Sequence, residues 1–148
     1  AEPQVMRGAV RGRDASGSPT KLLAVTVMTS LSDADLTEIG YSFDASALVE
    51  RRVRQALDCG VDGVVSSPLE AARARQIADE AGRPDFLIAT PGVRPEGADH
   101  GDQQRVATPA AALLAGATHL VVARPVVAAA NPLLAASAIV ESIDGVGR

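Results

Sequence analysis

Short apolar runs alternate with longer amphipathic segments along most of this chain. The apolar runs are Leu22–Met28, Gly63–Ser67, Phe86–Ala89 and His119–Arg124. Such short, nearly continuous apolar runs are typical of strands that are buried on both faces of a parallel sheet. The segments between them have the apolar spacing of helices with one buried side. The pattern therefore predicts a strand followed by helix four times, which indicates a parallel α/β architecture.

Three helices are predicted in the first 60 residues. Residues 1–14 have helical apolar spacing, and Ser32 resembles an N-cap for a short helix that ends near Ile39. The clearest amphipathic segment runs from Ala45 to Cys59, and Gly60 follows it as a natural terminator. The predicted apolar side of this third helix consists of Leu48, Val49, Val53, Ala56 and Leu57.

Three later helices are predicted to begin with a capping side chain that is followed by proline. Ser67-Pro68-Leu69-Glu70 has serine at the N-cap and glutamate three residues later, which predicts a helix from Pro68 to about Ala81. Thr108-Pro109 predicts a short helix to Ala115, and Asn131-Pro132 predicts the final helix. The predicted apolar side of the final helix consists of Leu133, Leu134, Ala138, Ile139 and Ile143.

Two closures of the sheet fit this pattern, a doubly wound sheet and part of a (β/α)8 barrel. The 148 residues suit a single domain over 1–148, and since a barrel needs about 250 residues, they supply about half of one. In either closure, ligands bind at the carboxyl ends of the strands. The polar residues predicted at that edge are Thr29, Ser30, Ser66, Ser67, the loop Thr90–Gln103, and Arg124.

The loop Thr90–Gln103 and the predicted strand end at Arg124 are candidate anion-binding features. A loop of this length in a compact domain is usually functional or disordered, and Arg94 and Gln103 offer donors suited to an anion. Arg124 ends an apolar run, where a desolvated guanidinium needs an anionic or hydrogen-bonding partner. In barrels, the loops after strands seven and eight frequently form a phosphate site. The sequence therefore predicts phosphate binding by these two loops.

Composition and charge weigh against several other classes of function. The net charge is −4 and there is no basic run, so we expect no binding to nucleic acid or to a membrane surface. Cys59 is the only cysteine, which excludes an intrachain disulfide and favours a reducing cytoplasmic location. With only two histidines beside it, a Cys/His zinc site lacks ligands. No apolar run is long enough for a membrane span.

Nucleophilic and dinucleotide chemistry have little support in the sequence. Asp99, His100 and Asp102 lie together in the long loop, but without a Gly-x-Ser-x-Gly turn we expect no hydrolase triad. Cys59 ends a predicted helix and is expected to be a core residue. No Gly-x-Gly-x-x-Gly follows a predicted strand, which weighs against a dinucleotide-binding fold.

Five motifs in order along the chain carry a resemblance to a known family. They are Leu23–Ser30, Cys59–Val65, Thr90–Pro95, Gly101-Asp102-Gln103 and Val121–Pro125. On these motifs the chain resembles the orotidine 5′-phosphate decarboxylase family, of bacterial type. The resemblance implies a dimeric (β/α)8 TIM barrel, of which this chain supplies about the last four β/α units. It also implies conversion of orotidine monophosphate to uridine monophosphate and carbon dioxide in pyrimidine biosynthesis, without a metal or organic cofactor.

The same resemblance assigns roles to residues at the predicted carboxyl edge. Thr29 would contact the substrate near its base, and Arg94 and Gln103 would lie on the loop that closes over the phosphate. Arg124 would bind the phosphate together with the backbone N–H of Ala123. Where this chain has Ala123, the family usually has glycine.

The catalytic residues of that family have no counterpart in this chain. The family uses an alternating Lys/Asp array with the motif Asp-x-Lys-x-x-Asp, which this sequence lacks. The only lysine, Lys21, precedes the first strand, and about seven residues at ~3.3 Å each place it over 20 Å from the carboxyl edge. We therefore expect no catalytic residue in this chain and no decarboxylation by the chain alone. We also expect a homodimer, or association with the missing half of the barrel.

Two other interpretations stay open on the sequence alone. One is a non-catalytic phosphate-binding module in which half-barrels pair, since two halves complete eight strands. The other is a different phosphate-binding barrel enzyme, such as an epimerase or an aldolase-like relative. The set Arg94, Gln103 and Arg124 favours the decarboxylase over this last alternative. In every case the first and last strands are expected to expose unpaired backbone and apolar surface.

Overall fold

The computed structural model describes residues 2–95 and 107–146 of the chain. Within these ranges, every strand is followed by one or two helices, as the sequence pattern predicts. The elements are α1 Pro3–Ser16, β1 Leu23–Val25, α2 Asp33–Glu38, α3 Ala45–Cys59, β2 Gly63–Val65, α4 Ala71–Glu80, β3 Leu87–Thr90, α5 Pro109–Leu114, β4 His119–Leu120, α6 Arg124–Val127 and α7 Pro132–Ile143.

The four strands form one parallel sheet in the order β1-β2-β3-β4. Each strand pairs with the next strand in sequence, and Val25, Val65, Ala89 and His119 share one level of the sheet. Parallel neighbours that are connected through helices are the repeating unit of α/β folds. The prediction of a parallel α/β architecture is therefore confirmed, and β1 and β4 form the two edges of the sheet.

The described helices pack on one face of this sheet, and the opposite face is exposed at β1. Ala24, Val64 and Ile88 are at most 7% exposed, and they belong to one core cluster with the buried residues of α3 and α4. The side chains of Leu23 and Val25 point to the opposite face and are 41% and 48% exposed. The prediction that the first strand is buried on both faces is therefore wrong, because the described helices pack on one face only.

Gly63 is required on the open face because its neighbours occupy the space of a side chain. It lies in register between Leu23 of β1 and Leu87 of β3. A Cβ atom at position 63 would overlap the Leu87 carbonyl oxygen and would lie 2.6 Å from Leu87 Cβ. It would also lie 2.8 Å from Leu23 Cδ2. Any side chain here would therefore push β2 away from one of its neighbours.

Most of the predicted helix boundaries are confirmed. α3 spans Ala45–Cys59 as predicted, and Gly60 follows it with φ +76°. Ser32 caps α2 in a complete capping box. Thr108 caps α5 and Asn131 caps α7, each by accepting a hydrogen bond from a backbone N–H of the first turn. Of the predicted apolar side of α3, Leu48, Val49, Val53 and Ala56 are buried and Leu57 is half-buried.

The start of α4 differs from the prediction. The Ser67 hydroxyl donates to the Glu70 carboxylate, but the two backbone hydrogen bonds of a capping box are not formed, and the helix begins only at Ala71. Leu69 N–H donates to Ser67 Oγ at 3.3 Å, and Glu70 N–H donates to the Ser67 carbonyl at 3.2 Å. These bonds close a turn over residues 67–70, so the helix starts three residues later than the sequence signal indicates.

The carboxyl-terminal elements also differ from the prediction. β4 comprises only His119–Leu120, and the predicted strand end at Arg124 is instead the first residue of α6. Pairing continues to Val121, whose N–H donates to the Thr90 carbonyl at 2.9 Å. Pro125 has no N–H with which to extend a ladder, and its fixed φ suits the first turn of a helix. This explains why the apolar run turns into a helix.

α7 buries less of its apolar side than predicted. Ile139 is 8% exposed, whereas Leu133 and Leu134 are 76% and 65% exposed. Among the described helices and strands, α7 packs mainly against α5 and α6. The prediction that Leu133 and Leu134 are buried is therefore wrong, because the described part of the chain leaves their side of the helix uncovered.

Asp62 joins three segments at the amino edge of the sheet. Its carboxylate accepts hydrogen bonds from Leu22 N–H at 2.8 Å, Arg13 Nη1 at 2.5 Å and Lys21 Nζ at 3.3 Å. Burial opposes ionisation of Asp62, but the Leu22 N–H and the two cations outweigh it and hold the pKa of the carboxyl below its usual value. This carboxylate thereby fixes α1 and β1 against β2.

Gly63→Ala is expected to lower the free energy of unfolding by roughly 2–4 kcal/mol, because the added methyl overpacks a site that is bounded by backbone. Urea unfolding followed by circular dichroism measures the change. The matched control is Gly12→Ala in α1, where a Cβ meets nothing within 4 Å, and there we expect a gain of about 0.5–1 kcal/mol. Equal stability of Gly63→Ala and the wild type would contradict the proposed crowding.

Asp62→Asn is expected to lower stability at pH 7 by roughly 1–3 kcal/mol, since it removes a charged acceptor of three hydrogen bonds. The pKa of Asp62 is depressed in the folded state, so its contribution is complete above about pH 4 and is lost as the pH falls through that lower pKa. The difference between wild type and variant in urea unfolding should therefore shrink between pH 7 and pH 3. Asp58→Asn, at an exposed carboxylate, is the control and should not reproduce this trend.

Candidate functional site

Buried polar side chains collect where the strands end. Within the described part of the chain, seven polar or charged residues are at most 8% exposed. They are Thr26, Thr29, Ser66, Ser67, Glu70, Thr90 and Arg94. Each ends β1, β2 or β3 or follows that strand within a few residues, so all of them lie at the carboxyl edge. Ligands bind at this edge in parallel α/β folds.

A row of three hydroxyl groups crosses the first three strands at this edge. Thr26, Ser66 and Thr90 stand one residue beyond the last level that β1, β2 and β3 share. Thr26 Oγ1 donates to the Val65 carbonyl at 2.8 Å. Ser66 Oγ and Thr90 Oγ1 are buried and have no hydrogen-bond partner in residues 2–95 and 107–146. Buried hydroxyls without partners are uncommon, and they make this edge unusual in the molecule.

Thr29 lies in a short strap between β1 and α2. It is only 8% exposed. Leu31 N–H donates to the Met28 carbonyl at 3.1 Å, which turns the strap around Thr29 and Ser30. The structure therefore places the predicted base-contacting residue at the carboxyl edge of β1, where the sequence analysis expects it.

Arg94 is the buried cation of this edge. Arg94 is only 8% exposed, and its Nη1 donates a hydrogen bond to the Val93 carbonyl at 2.8 Å. None of the ion pairs between described residues includes Arg94. A buried guanidinium is costly without a negative partner, so this position suits an anion.

The long predicted loop is closed at its base. Arg94 N–H donates to the Ala107 carbonyl at 3.0 Å, and Ala107 N–H donates to the Gly92 carbonyl at 3.4 Å. Val93 and Ala107 thus form a parallel bridge. Gly92 has φ +78°, which turns the chain directly after β3. Gln103, like the loop residues Asp99, His100 and Asp102, lies outside the described residues.

Ala123 and Arg124 follow β4 at the same edge, but not in the predicted form. The Ala123 carbonyl accepts hydrogen bonds from Val126 and Val127 N–H, both at 2.9 Å, and so begins α6. Arg124 is the first residue of α6, and its side chain is exposed. The prediction of a buried strand end at Arg124 is therefore wrong, because the apolar run gives no sign of where pairing stops.

Sequence reasoning misses several polar residues of this edge. Thr26 sits inside an apolar run, and Glu70 is interpreted only as part of a helix cap. In the structure, both are at most 8% exposed. A hydroxyl near the end of a buried strand is a signal that a sequence reading can use. The burial of Glu70 has no local signal, since it depends on how α4 packs against the sheet.

Among residues 2–95 and 107–146, no three His, Cys, Asp or Glu side chains are grouped closely enough to hold a metal ion. None of the helices in this part of the chain combines the length and the apolar character that crossing a membrane requires.

Known sequences resemble this chain over nearly its whole length. A family model described as "Orotidine 5'-phosphate decarboxylase / HUMPS family" matches residues 1–139. The orotidine 5'-phosphate decarboxylase of Caulobacter vibrioides (strain NA1000 / CB15N) is 63% identical over 146 residues, which are 99% of this chain and 62% of that protein. The enzyme of the same name from Rhodopseudomonas palustris (strain BisB5) is 55% identical over 143 residues, 97% of this chain and 58% of the relative.

Solved structures resemble the chain as well. Orotidine 5'-phosphate decarboxylase from Lactobacillus acidophilus superimposes with a TM-score of 0.76 and 34% identity, over 97% of this chain and 60% of that one. The Pyrococcus horikoshii OT3 protein of the same name gives a TM-score of 0.63 over 99% of this chain and 71% of that one. Its identity of 22% supports the fold alone.

Thr90→Val is expected to leave the free energy of unfolding unchanged or to raise it by up to about 1 kcal/mol, because it replaces a buried, unpartnered hydroxyl with a methyl group. Thr26→Val is the matched control at the same level of the sheet. It removes a hydrogen bond to the Val65 carbonyl and should cost about 0.5–1.5 kcal/mol. Thermal and urea unfolding measure both. A larger loss for Thr90→Val than for Thr26→Val would show that the Thr90 hydroxyl has a partner.

Proposed function

Because this chain belongs to the orotidine 5'-phosphate decarboxylase / HUMPS family, we propose that it forms the nucleotide-binding part of an orotidine 5'-phosphate decarboxylase. The family resemblance carried by the sequence motifs is confirmed, and so is the predicted α/β fold of the barrel family. The chain spans about 62% of the length of the Caulobacter relative. The observation that carries the proposal is the set of buried polar side chains at the carboxyl edge, with the Arg94 cation among them.

Phosphate binding is proposed for the loops after β3 and β4. Arg94 is a buried cation without a carboxylate partner among the described residues, which supports a role as an anion ligand. Arg124 and the N–H of Ala123 are proposed as further ligands, and their place directly after β4 at the same edge supports this. Gln103 is proposed from the family resemblance, and it lies in the loop that Val93 and Ala107 close at its base.

The base end of the nucleotide is proposed to lie near Thr29. Its position after β1, at the carboxyl edge and on the far side of β2 from the loop after β3, supports this assignment. A ligand that reaches from Arg94 to Thr29 would pass over the ends of β2 and β3. Ser66 and Thr90, with their unpartnered hydroxyls, are at those strand ends.

The residues of this chain are proposed to bind the substrate and not to transfer a proton. In decarboxylation the bond between the ring carbon and the carboxylate breaks, and a proton then takes the place of carbon dioxide. Lys21, the only lysine, pairs with Asp62 at 3.3 Å on the amino edge of the sheet, opposite the proposed site. Binding energy from the phosphate can be used to stabilise the transition state at the ring. The proton donor is therefore proposed to come from outside this chain.

A larger assembly is proposed because the described sheet has two unpaired edges and because β1 is exposed on one face. Leu23, Val25, Met28 and Val121, which belong to or follow the two edge strands, are 41–61% exposed. Unpaired strand edges with apolar side chains favour association. We propose that residues 1–148 are a single part of a barrel that is completed by further β/α units, and that the completed protein is a homodimer. A cytoplasmic location is proposed from the single, unpaired and buried Cys59.

The proposal is tested by measuring binding and turnover separately. Titration calorimetry of the chain with uridine monophosphate should show binding that Arg94→Met weakens about 10- to 100-fold, as expected for the loss of charge-assisted hydrogen bonds. Arg54→Met, at an exposed arginine on α3, is the matched control and should bind like the wild type. Orotidine monophosphate should keep its absorbance in the presence of the chain alone.

Turnover should appear when the chain is supplied with the segment of the Caulobacter relative that the match does not cover. Failure of the wild-type chain to bind uridine monophosphate would refute the proposal that it forms the nucleotide-binding part. Binding without turnover in the mixture would favour the alternative of a non-catalytic phosphate-binding module. Turnover by the pure chain would refute the view that the proton donor lies outside it.

A further inference from the structure

Thr26 follows β1, and its N–H, its hydroxyl and its carbonyl all form hydrogen bonds. Its N–H donates to the Val65 carbonyl at 3.1 Å, and its hydroxyl donates to the same oxygen at 2.8 Å. Its own carbonyl accepts a hydrogen bond from Nη1 of Arg52, which comes from α3. A side chain from the helical layer therefore takes the place of a strand partner at this point.

Tyr41 fixes the guanidinium of Arg52 in this position. Arg52 Nη2 donates to the Tyr41 hydroxyl at 2.8 Å, and the guanidinium carbon lies 5.4 Å from the centre of the Tyr41 ring. A planar guanidinium with two hydrogen bonds and an aromatic neighbour is more restricted than a lysine ammonium would be. Arg52 is half-buried, so solvent screens these contacts less than on an open surface.

The strap that contains Thr29 is fixed at both ends. At one end Arg52 holds the Thr26 carbonyl, and three residues of chain reach at most about 10 Å from there to Thr29. At the other end the Ser32 N–H and hydroxyl donate to the Asp35 carboxylate at 2.7 and 2.6 Å. The Ser32 hydroxyl and N–H hold the pKa of Asp35 below its usual value, so the carboxylate stays ionised near neutral pH.

We propose that Arg52 is a positioning residue, which orients Thr29 for its contact with the base end of a uridine nucleotide. Tyr41 takes part by holding Arg52. The proposal rests on the proposed function, since that function supplies the contact between Thr29 and the nucleotide. The phosphate is bound by other loops, after β3 and β4. Arg52 therefore affects the recognition of the nucleoside part and leaves the recognition of phosphate unchanged.

The chain offers a matched control in the neighbouring residue. Arg51 also lies on α3, and its guanidinium carbon is 5.5 Å from the centre of the Phe43 ring. Arg51 thus has the same kind of aromatic contact, but no hydrogen bond from it to the Thr29 strap is found in the described residues. Arg51→Met removes a charge and an aromatic contact from α3, whereas Arg52→Met also removes the hydrogen bond to the Thr26 carbonyl. The difference between the two variants therefore measures the positioning of Thr29.

The test uses the chain itself, titrated with uridine monophosphate and separately with orthophosphate. For Arg52→Met we expect the dissociation constant for uridine monophosphate to rise about tenfold and that for orthophosphate to change less than about twofold. Arg52→Lys should recover part of the loss, because one ammonium can reach only one of the two partners. Tyr41→Phe, which keeps the ring and removes the hydroxyl, should raise the constant about threefold.

A second measurement does not depend on nucleotide binding. In the nuclear magnetic resonance spectrum of the labelled chain, Arg52→Met should shift the amide and methyl signals of Thr29, and Arg51→Met should leave them in place.

If the wild-type chain does not bind uridine monophosphate, the proposed function fails, whereas shifted Thr29 signals still support positioning by Arg52. Unmoved Thr29 signals in Arg52→Met would overturn the inference, as would equal effects of Arg51→Met or an equal loss of orthophosphate binding. If Arg52→Met does not fold, Tyr41→Phe decides by the same measurements.

Discussion

Parallel pairing of successive strands is the constraint on which the rest of this structure depends. Because β1 to β4 run in one direction and in one register, everything that follows a strand arrives at the same edge of the sheet. The strap with Thr29, the hydroxyls of Ser66 and Thr90, and the loop with Arg94 come together for this reason alone. The opposite edge receives Lys21 and Asp62, which form a structural ion pair. Strand direction thus separates the polar groups of the candidate site from those of the structural ion pair.

The described helices pack on one face of the sheet. One face of the sheet packs against α3 and α4 and contains the main core, while Leu23 and Val25 of the other face are exposed. A strand with one bare apolar face and an unpaired edge favours association. The carboxyl edge spans the same strands, so the unpaired strand edges adjoin the surface that is proposed to hold the nucleotide. Further strands beside this sheet would therefore cover its exposed apolar residues and, at the same time, extend the proposed site.

Most predictions that depend on local chemistry agree with the structure, although α4 begins three residues later than its capping signal indicates, and most predictions of burial do not. α3 follows from its apolar spacing and from Gly60, since both act within a few residues. Arg124 is different, because where β4 stops depends on β3 and on the lack of an N–H at Pro125. The exposure of Leu133 is decided by what lies beside α7 and has no local signal. For the same reason, the hydrogen bond from Arg52 to the Thr26 carbonyl could not be predicted, because the sequence places Arg52 on the solvated side of α3.

The sequence by itself determined the order of strands and helices, the edge at which polar residues collect, and the family. These depend on periodicity, capping residues and motifs, all of which are properties of neighbouring positions along the chain. Only the tertiary structure decided that β1 is exposed on one face, that Arg94 is buried without a carboxylate partner among the described residues, and that Arg52 reaches the Thr26 carbonyl. Burial and long-range hydrogen bonds join residues that are far apart in sequence, and no local pattern specifies which of them will meet.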